Sequence, residues 1–196
     1  MARLVLGFAG AIASGKGEAV SEAAKTLKAK TYSLSDELRA FLRKKRKPVT
    51  RKALRALGNA LRKKHGTGVL AERIAAKARR VRGNVIVDSI RCAGEARALR
   101  KAFGKKFTLV FVDAPLRVRF ARAKKRRREG EISSFAEFRR IDAKEMADAE
   151  GWGHSLRKVR TMADVVLKND ASLNSLKTRV KNLLTRVSSR LLRASR

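Results

Sequence analysis

The sequence predicts an α/β protein, a three-layer α/β/α sandwich built on a five-stranded parallel sheet. Three observations lead there. Short apolar runs that end on a polar residue recur along the chain, the pattern of strands buried on both faces. Stretches with apolar residues at helical spacing separate those runs, as alternating strands and helices require. A glycine-rich bend joins the first run directly to the first helical stretch.

The elements follow in order. Leu4-Val5-Leu6-Gly7-Phe8 is the first strand, and Ala19, Val20, Ala23, Ala24 and Leu27 form the apolar stripe of the helix after the bend. Lys30-Thr31-Tyr32-Ser33 is a short second strand, with Ser35, Asp36 and Arg39 at the start of the helix that follows. Thr50 is placed to cap a helix carrying Ala53, Leu54, Leu57 and Leu61, which Gly66 stops. Val69, Leu70 and Ile74 begin another helix. Val85-Ile86-Val87, ending at Asp88, is the third strand, and Ala96, Leu99 and Phe103 mark the helix leading to the fourth. The fourth strand is Leu109-Val110-Phe111-Val112, ending at Asp113. Ser133 and Ser134 precede Phe135, Phe138 and Ile141, an N-cap and the core stripe of a further helix. Val165-Val166-Leu167, ending at Asn169-Asp170, is the fifth strand, and a stripe from Leu173 to Leu191 forms a long C-terminal helix. One domain spans residues 1–196, with helical insertions at about residues 35–80 and 117–155.

Composition narrows the class. Hydrophobic residues are 44% of the 196, enough for a real core and too many for a disordered polycation. Fifty Lys and Arg against 17 Asp and Glu give a net charge of +33, so the surface should attract phosphate-bearing partners, with non-specific nucleic-acid binding among them. A single cysteine, Cys92, excludes an internal disulfide and a zinc cluster, and it reads as a small packing residue. No stretch approaches the roughly 20 apolar residues that span a bilayer, and the first residues do not read as a signal peptide. The expected setting is reducing and cytoplasmic, with no membrane partner.

The bend carries the chemistry. In Gly10-Ala-Ile-Ala-Ser-Gly15-Lys16 the glycines let backbone N–H groups turn inward around an anion. The helix that follows adds its positive end, and Lys16 adds a full charge. Gly10, Ala11, Ala13, Ser14, Gly15, Lys16 and Gly17 are therefore the candidate phosphate contacts. Gly17 stands where Ser or Thr usually follows the lysine, so a metal would be held by the phosphates, water and a more distant carboxylate. Glu18, in the first helical turn where a negative charge is favoured, is a cap-side residue first and a metal contact second, and completes the candidate nucleotide contacts. Gly10–Lys16, Asp88, Asp113 and Asn169 all fall at strand carboxyl ends, where ligands sit in parallel α/β sheets.

Two histidines are present. His65 precedes a helix-stopping glycine and reads as a partner of the helix dipole. His154, in the glycine-flanked "EGWGHS", is expected to be exposed. The charge runs at residues 43–47 and Arg126–Arg128 read as solvated faces.

Gly15-Lys16-Gly17 is the variant carried by nucleoside monophosphate kinases. The stretches "YSLSDELR", "TRKALRALGNALRKKHGTGVLAERI", "VIVDSIRCAGEARALR", "FVDAPLRVRFARAKKR" and "ADVVLKND" occur in the order seen in that group. Over roughly residues 4–180 the chain resembles the P-loop kinases that include adenylate, deoxynucleoside monophosphate and dephospho-CoA kinases. Adenylate kinases place an arginine four residues after the strand-end Asp, with Gly and Pro between. Here Arg91 follows Asp88 by three, without the Pro, which is closer to the other two types.

The resemblance implies an ATP-dependent phosphotransferase that uses Mg²⁺ and a small phosphorylated acceptor. It implies that Lys16 bridges the β- and γ-phosphates and that Asp88 holds Mg²⁺ through water or orients the acceptor. Asp36, Arg39 and Arg91 would bind the acceptor. Arg119 and Arg122, with Arg126, would belong to a lid over residues 117–155, and Asn169 would lie near the donor base. The competing expectation is a nucleic-acid-binding P-loop NTPase or accessory protein. The charge favours it; an aromatic content of only 5% leaves few stacking platforms and argues against it.

Overall fold

The computed structural model describes residues 3–126, 134–147 and 151–193, with the side chain of Arg126 left out. Its centre is β1 (Val5–Gly10), flanked by β3 (Val85–Ile90) and β4 (Phe107–Asp113), with β2 (Lys30–Ser33) and β5 (Val165–Lys168) at the edges. All pairs are parallel and the order is β2-β3-β1-β4-β5. The fold class is the expected one. Because the chain winds to one side of β1 as far as β3 and to the other from β4 onward, a crevice opens above the carboxyl end of β1.

Side chains of β1 alternate between two cores, as the period of a strand demands. Val5 and Ala9 face a core that includes Leu34, Leu38, Leu70, Ile74, Leu99, Leu156 and Val159. These come from α2 (Leu34–Lys44), α4 (Val69–Arg79), α5 (Ala93–Phe103) and α8 (Leu156–Thr161). Leu6 and Phe8 face the other core, with Ala19, Val20 and Ala23 of α1 (Lys16–Leu27) and Leu176, Val180, Leu183 and Leu184 of α9 (Leu173–Arg193). Two helical layers therefore enclose the sheet.

Local signals end the helices where expected. In α3 (Arg51–His65) the Thr50 hydroxyl accepts from Ala53 N at 3.1 Å, and Gly66 stops the helix at φ 93°. Ser134 caps α7 (Phe135–Met146) by accepting from Glu137 N at 3.1 Å; Ser133 lies outside the described residues. α6 (Leu116–Arg126) precedes α7, and the helices α6 to α8 all lie between β4 and β5. Arg127 and Arg128 fall outside the described residues.

The third strand departs from its expected end. It continues past Asp88, and its register against β1 slips between Gly7 and Ala9, so that one extra residue enters β3. Ser89 takes that position at φ 67°, a left-handed conformation uncommon for a residue with a side chain.

Candidate phosphate-loop site

The loop between β1 and α1 is held from several sides. Gly15 sits at φ 88° and Ala13 at φ 56°, which turns the chain tightly. Ser14 N donates to Ala11 O at 3.2 Å. Asn169, buried at the end of β5, donates from Nδ2 to Ser14 O at 2.8 Å. Its amide packs so closely that a Cβ on Gly15 would collide with it. A Cβ on Gly10 would meet both Ser14 Oγ and Val112 O at 2.7 Å. Ser14 Oγ itself is buried without a hydrogen-bond partner among the described residues. Gly17 and Glu18 are exposed in the first turn of α1, and nothing lies within 4 Å of a Cβ placed on Gly17. Glycine is thus not required there by space.

Lys16 points back across the sheet and forms an ion pair with Asp88 Oδ1. The β3 bulge arranges this contact: Ser89 N donates to Asp88 Oδ1, and Ser89 Oγ donates to Asp88 Oδ2 at 3.2 Å. Asp88 does not cap the next helix. Cys92 takes that position, with Glu95 accepting from Cys92 N at 3.3 Å. Burial lowers the Lys16 pKa; Asp88 opposes the shift, while the charges of Arg91 and Arg39 add to it. Arg39 and Arg91 therefore lie within electrostatic reach of the loop lysine. Arg39 also pairs with Asp36 at 2.8 Å on the open side of α2.

The two predicted lid arginines have partners. Arg119 is buried, and its Nη1 and Nη2 donate to the two oxygens of Asp142 on α7 at 2.6 and 3.0 Å. Its Nε donates to Ala114 O at 2.9 Å, and its guanidinium lies 5.7 Å from the Phe138 ring centre. A longer contact of 3.4 Å reaches Ile12 O, so this side chain ties α7 to the rim of the loop. Arg122 donates to Asn169 O at 3.0 Å and to Ala171 O at 3.3 Å. Asn169 is thus clamped between Arg122 and the loop, and it braces the loop from beneath.

One expectation is corrected: His154 is buried, only 8% exposed. The turn that carries it is pinned because Ser155 N donates to Arg91 O at 2.9 Å and Ser155 Oγ accepts from Ala93 N at 3.3 Å. Lys63 also lies 5.0 Å above the Trp152 ring. Burial, followed by the charges of Arg91, Arg62, Arg55 and Arg51, pushes the imidazole pKa down to about 2, so it is neutral. Cys92 is buried as expected; its Sγ donates to Thr67 O at 3.2 Å, and burial pushes the thiol up to about 12. His65, the last residue of α3, is exposed.

Sequence reading missed Ser89, Asp142, Glu145 and the arginines of α3. Arg62 makes a buried pair with Glu95 at 2.8 Å, while Arg51 and Arg91 both reach Glu145 on α7, at 2.6 and 3.3 Å. A signal for the α3 group exists in the sequence. Arg51, Arg55 and Arg62 are spaced i, i+4, i+11, which places them on one helix face.

Among the described residues, no group of three or more His, Cys, Asp or Glu is arranged to hold a metal ion. No described helix is long and apolar enough to cross a membrane.

Comparison with known proteins agrees with this architecture. A family model described as an AAA domain matches residues 9–139. The UPF0200 protein of Hyperthermus butylicus is 33% identical over 186 residues, covering 94% of this chain and 95% of that one. The UPF0200/UPF0201 protein of Archaeoglobus fulgidus is 32% identical over 186 residues, and there the chain spans 55% of the relative's length. Among solved structures, a gluconokinase from Sinorhizobium meliloti 1021 superposes with a TM-score of 0.62 at 16% identity, covering both chains completely. A shikimate kinase from Acinetobacter baumannii gives 0.56 at 13%, covering 96% of this chain and 94% of that one. At these identities the likeness is one of fold, that of the small P-loop kinases, and a P-loop domain implies nucleotide binding. The chain belongs to the AAA-domain P-loop proteins and to the UPF0200 family.

Proposed function

We propose that the protein is an ATP-dependent phosphotransferase acting on a nucleoside monophosphate or a similar small phosphorylated acceptor. The observation that carries this reading is the pairing of Lys16, at the start of α1, with Asp88 in the last half of the neighbouring β3, with the charges of Arg39 and Arg91 acting on Lys16. A loop lysine, a carboxylate beside the β3 bulge and two further cations suit a reaction in which two anions must be held face to face.

The residues present fit a nucleotide triphosphate. The left-handed Ala13 and Gly15 fold the loop tightly, and its amides at the start of α1 supply donors to phosphate oxygens. Lys16, whose charge is disfavoured by burial, gains when it exchanges one carboxylate for several phosphate oxygens. Mg²⁺, when bound, would neutralise charge on the transferred group. With Gly17 lacking a hydroxyl and no cluster among the described residues to hold the ion alone, Asp88 would reach it through water.

In the reaction the bond between the γ-phosphorus and its bridging oxygen breaks, and a new bond forms to an acceptor oxygen. Lys16 holds the donor phosphates, Asp88 orients the acceptor, and Arg39 and Arg91 hold the acceptor's charge. Arg122 and Asn169 keep the loop in shape, while Arg119, through Asp142, positions α7 over the crevice so that water is excluded. The experiment is turnover of a panel of nucleoside monophosphates and dephospho-CoA with MgATP. Conversion of one member, abolished by Lys16→Ala, supports the reading; turnover indifferent to Lys16→Ala removes the loop from the mechanism.

The net charge of +33 favours a second reading, a nucleic-acid-binding NTPase. It expects RNA or DNA binding that falls steeply with salt and that stimulates ATP hydrolysis.

A further inference from the structure

Beside the phosphate loop lies a second concentration of positive charge. Arg51, Arg55 and Arg62 project from one face of α3, Arg91 comes from the end of β3, and all four charges act on His154. Their carboxylate partners are fewer. Arg62 is taken up by Glu95, with Nε at 3.1 Å and Nη2 at 2.8 Å, and both side chains are buried. Arg51 and Arg91 share the single carboxylate of Glu145, which is itself 4% exposed. Arg55, half-buried, has neither a hydrogen bond nor an ion pair among the described residues. Among the described residues, four guanidiniums face two carboxylates, which leaves two positive charges without a carboxylate partner there, and such a place favours an anion.

A second observation is independent of the charges. His154 is more than nine-tenths buried, and its Nδ1 has no hydrogen-bond partner among the described residues. A buried polar atom without a partner calls for one. A cation is excluded by the surrounding guanidiniums. An oxyanion satisfies both the arginines and the imidazole, since the Nδ1–H tautomer of the neutral ring donates to a phosphate oxygen. Among the described residues the surplus of two charges matches a phosphate dianion better than a carboxylate. Arg91 also acts on Lys16, so this place adjoins the loop rather than lying remote from it.

We propose that Arg51, Arg55, Arg91 and His154 form an oxyanion site for a phosphate already carried by the acceptor, a site that the chain's own Glu145 partly fills and that the incoming phosphate takes over. It rests on the phosphotransferase reading for its purpose, but its existence as a binding site does not. Glu145 belongs to α7, and α7 is fastened to α6 by Arg119 and Asp142. Phosphate arrival therefore displaces Glu145 from Arg51 and Arg91, while the Arg119–Asp142 pair keeps α7 on α6.

The chain contains only two histidines, so imidazole NMR resonances report the site directly, with exposed His65 as an internal reference. The full-length protein is titrated with inorganic phosphate, and separately with acetate, in the presence of saturating non-hydrolysable MgATP analogue. Phosphate is expected to shift the His154 signals and leave those of His65 in place, with acetate at least tenfold weaker. Arg55→Ala should weaken phosphate at least tenfold and Arg55→Lys less. Glu145→Gln should tighten it severalfold by removing the competitor.

A His154 response that is the same in Arg55→Ala, or equal responses to phosphate and acetate, overturns the proposal. So does a response in the wild type that Glu145→Gln leaves unaltered. If the ATP analogue does not bind but phosphate still moves His154 in an Arg55-dependent way, the site stands and the phosphotransferase reading falls. If the analogue binds and His154 is silent, the reverse holds.

Discussion

Gly15→Ala tests the bracing of the loop. Alanine at φ 88° is held in a left-handed conformation, which costs about 1–2 kcal/mol. Its Cβ also collides with the amide of Asn169 and drives it off Ser14 O, where the existing bond is 2.8 Å and buried. Breaking a buried hydrogen bond in this way costs about 1–3 kcal/mol. The substitution should therefore destabilise the protein by about 2–5 kcal/mol, a large part of the roughly 5–15 kcal/mol of a typical domain. Urea unfolding of wild type, Gly15→Ala, Asn169→Ala and the double variant separates the contributions. Asn169→Ala alone loses the hydrogen bond; in the double variant the collision is gone and only the backbone strain is added. The double variant should thus be more stable than the sum of the single losses, by about 1–3 kcal/mol. Strict additivity would mean that Asn169 does not pack against the loop, and the account of how the cradle keeps its shape would be wrong.

Acid should weaken the fold through His154. Its folded pKa of about 2 lies below the unfolded 6.5, so the unfolded chain binds a proton that the folded chain refuses. Stability then falls as pH drops below about 6.5, by up to about 1.4 kcal/mol per pH unit. His154→Gln should lose less stability than wild type between pH 7 and 5 in chemical denaturation; equal losses would place the imidazole in solvent. Asp142→Ala strands Arg119 in a buried position and should cost about 3–5 kcal/mol by urea unfolding, whereas Arg119→Met with Asp142→Leu should recover most of it. A loss under 1 kcal/mol for the single change would contradict the buried pair. Cys92, with its thiol pushed up to about 12 and hydrogen-bonded to Thr67 O, should resist iodoacetamide in the native protein and react once unfolded. Rapid native labelling at neutral pH would refute its burial.

Much of the architecture is written locally and could be read. The alternation in β1, the cap at Thr50, the stop at Gly66 and the stripe of α9 each depend on neighbours a few residues away. The loop was legible for the same reason, since Gly15 and Lys16 act through their own backbone and the helix they begin. What escaped reading depends on residues distant in sequence. The apolar run ends at Asp88 in the sequence because a bulge leaves no mark there; Ser89 becomes visible only from the register against β1. His154 looks exposed between glycines, and its burial follows from Ser155 bonding to Arg91 and Ala93, more than 60 residues away. The Arg119 and Asp142 pair spans 23 residues, and neither residue announces the other. The α3 arginines are the intermediate case: their shared face follows from helical spacing, while the carboxylates they meet do not.

The central claim is that the amides at the start of α1, together with Lys16, hold a nucleotide triphosphate. Calorimetric titration of the wild-type protein and of Lys16→Ala with MgATP tests it most directly. Saturable heat in the wild type, with affinity at least tenfold weaker in Lys16→Ala, is the expected result. No heat in the wild type, or binding that Lys16→Ala leaves unchanged, would contradict it.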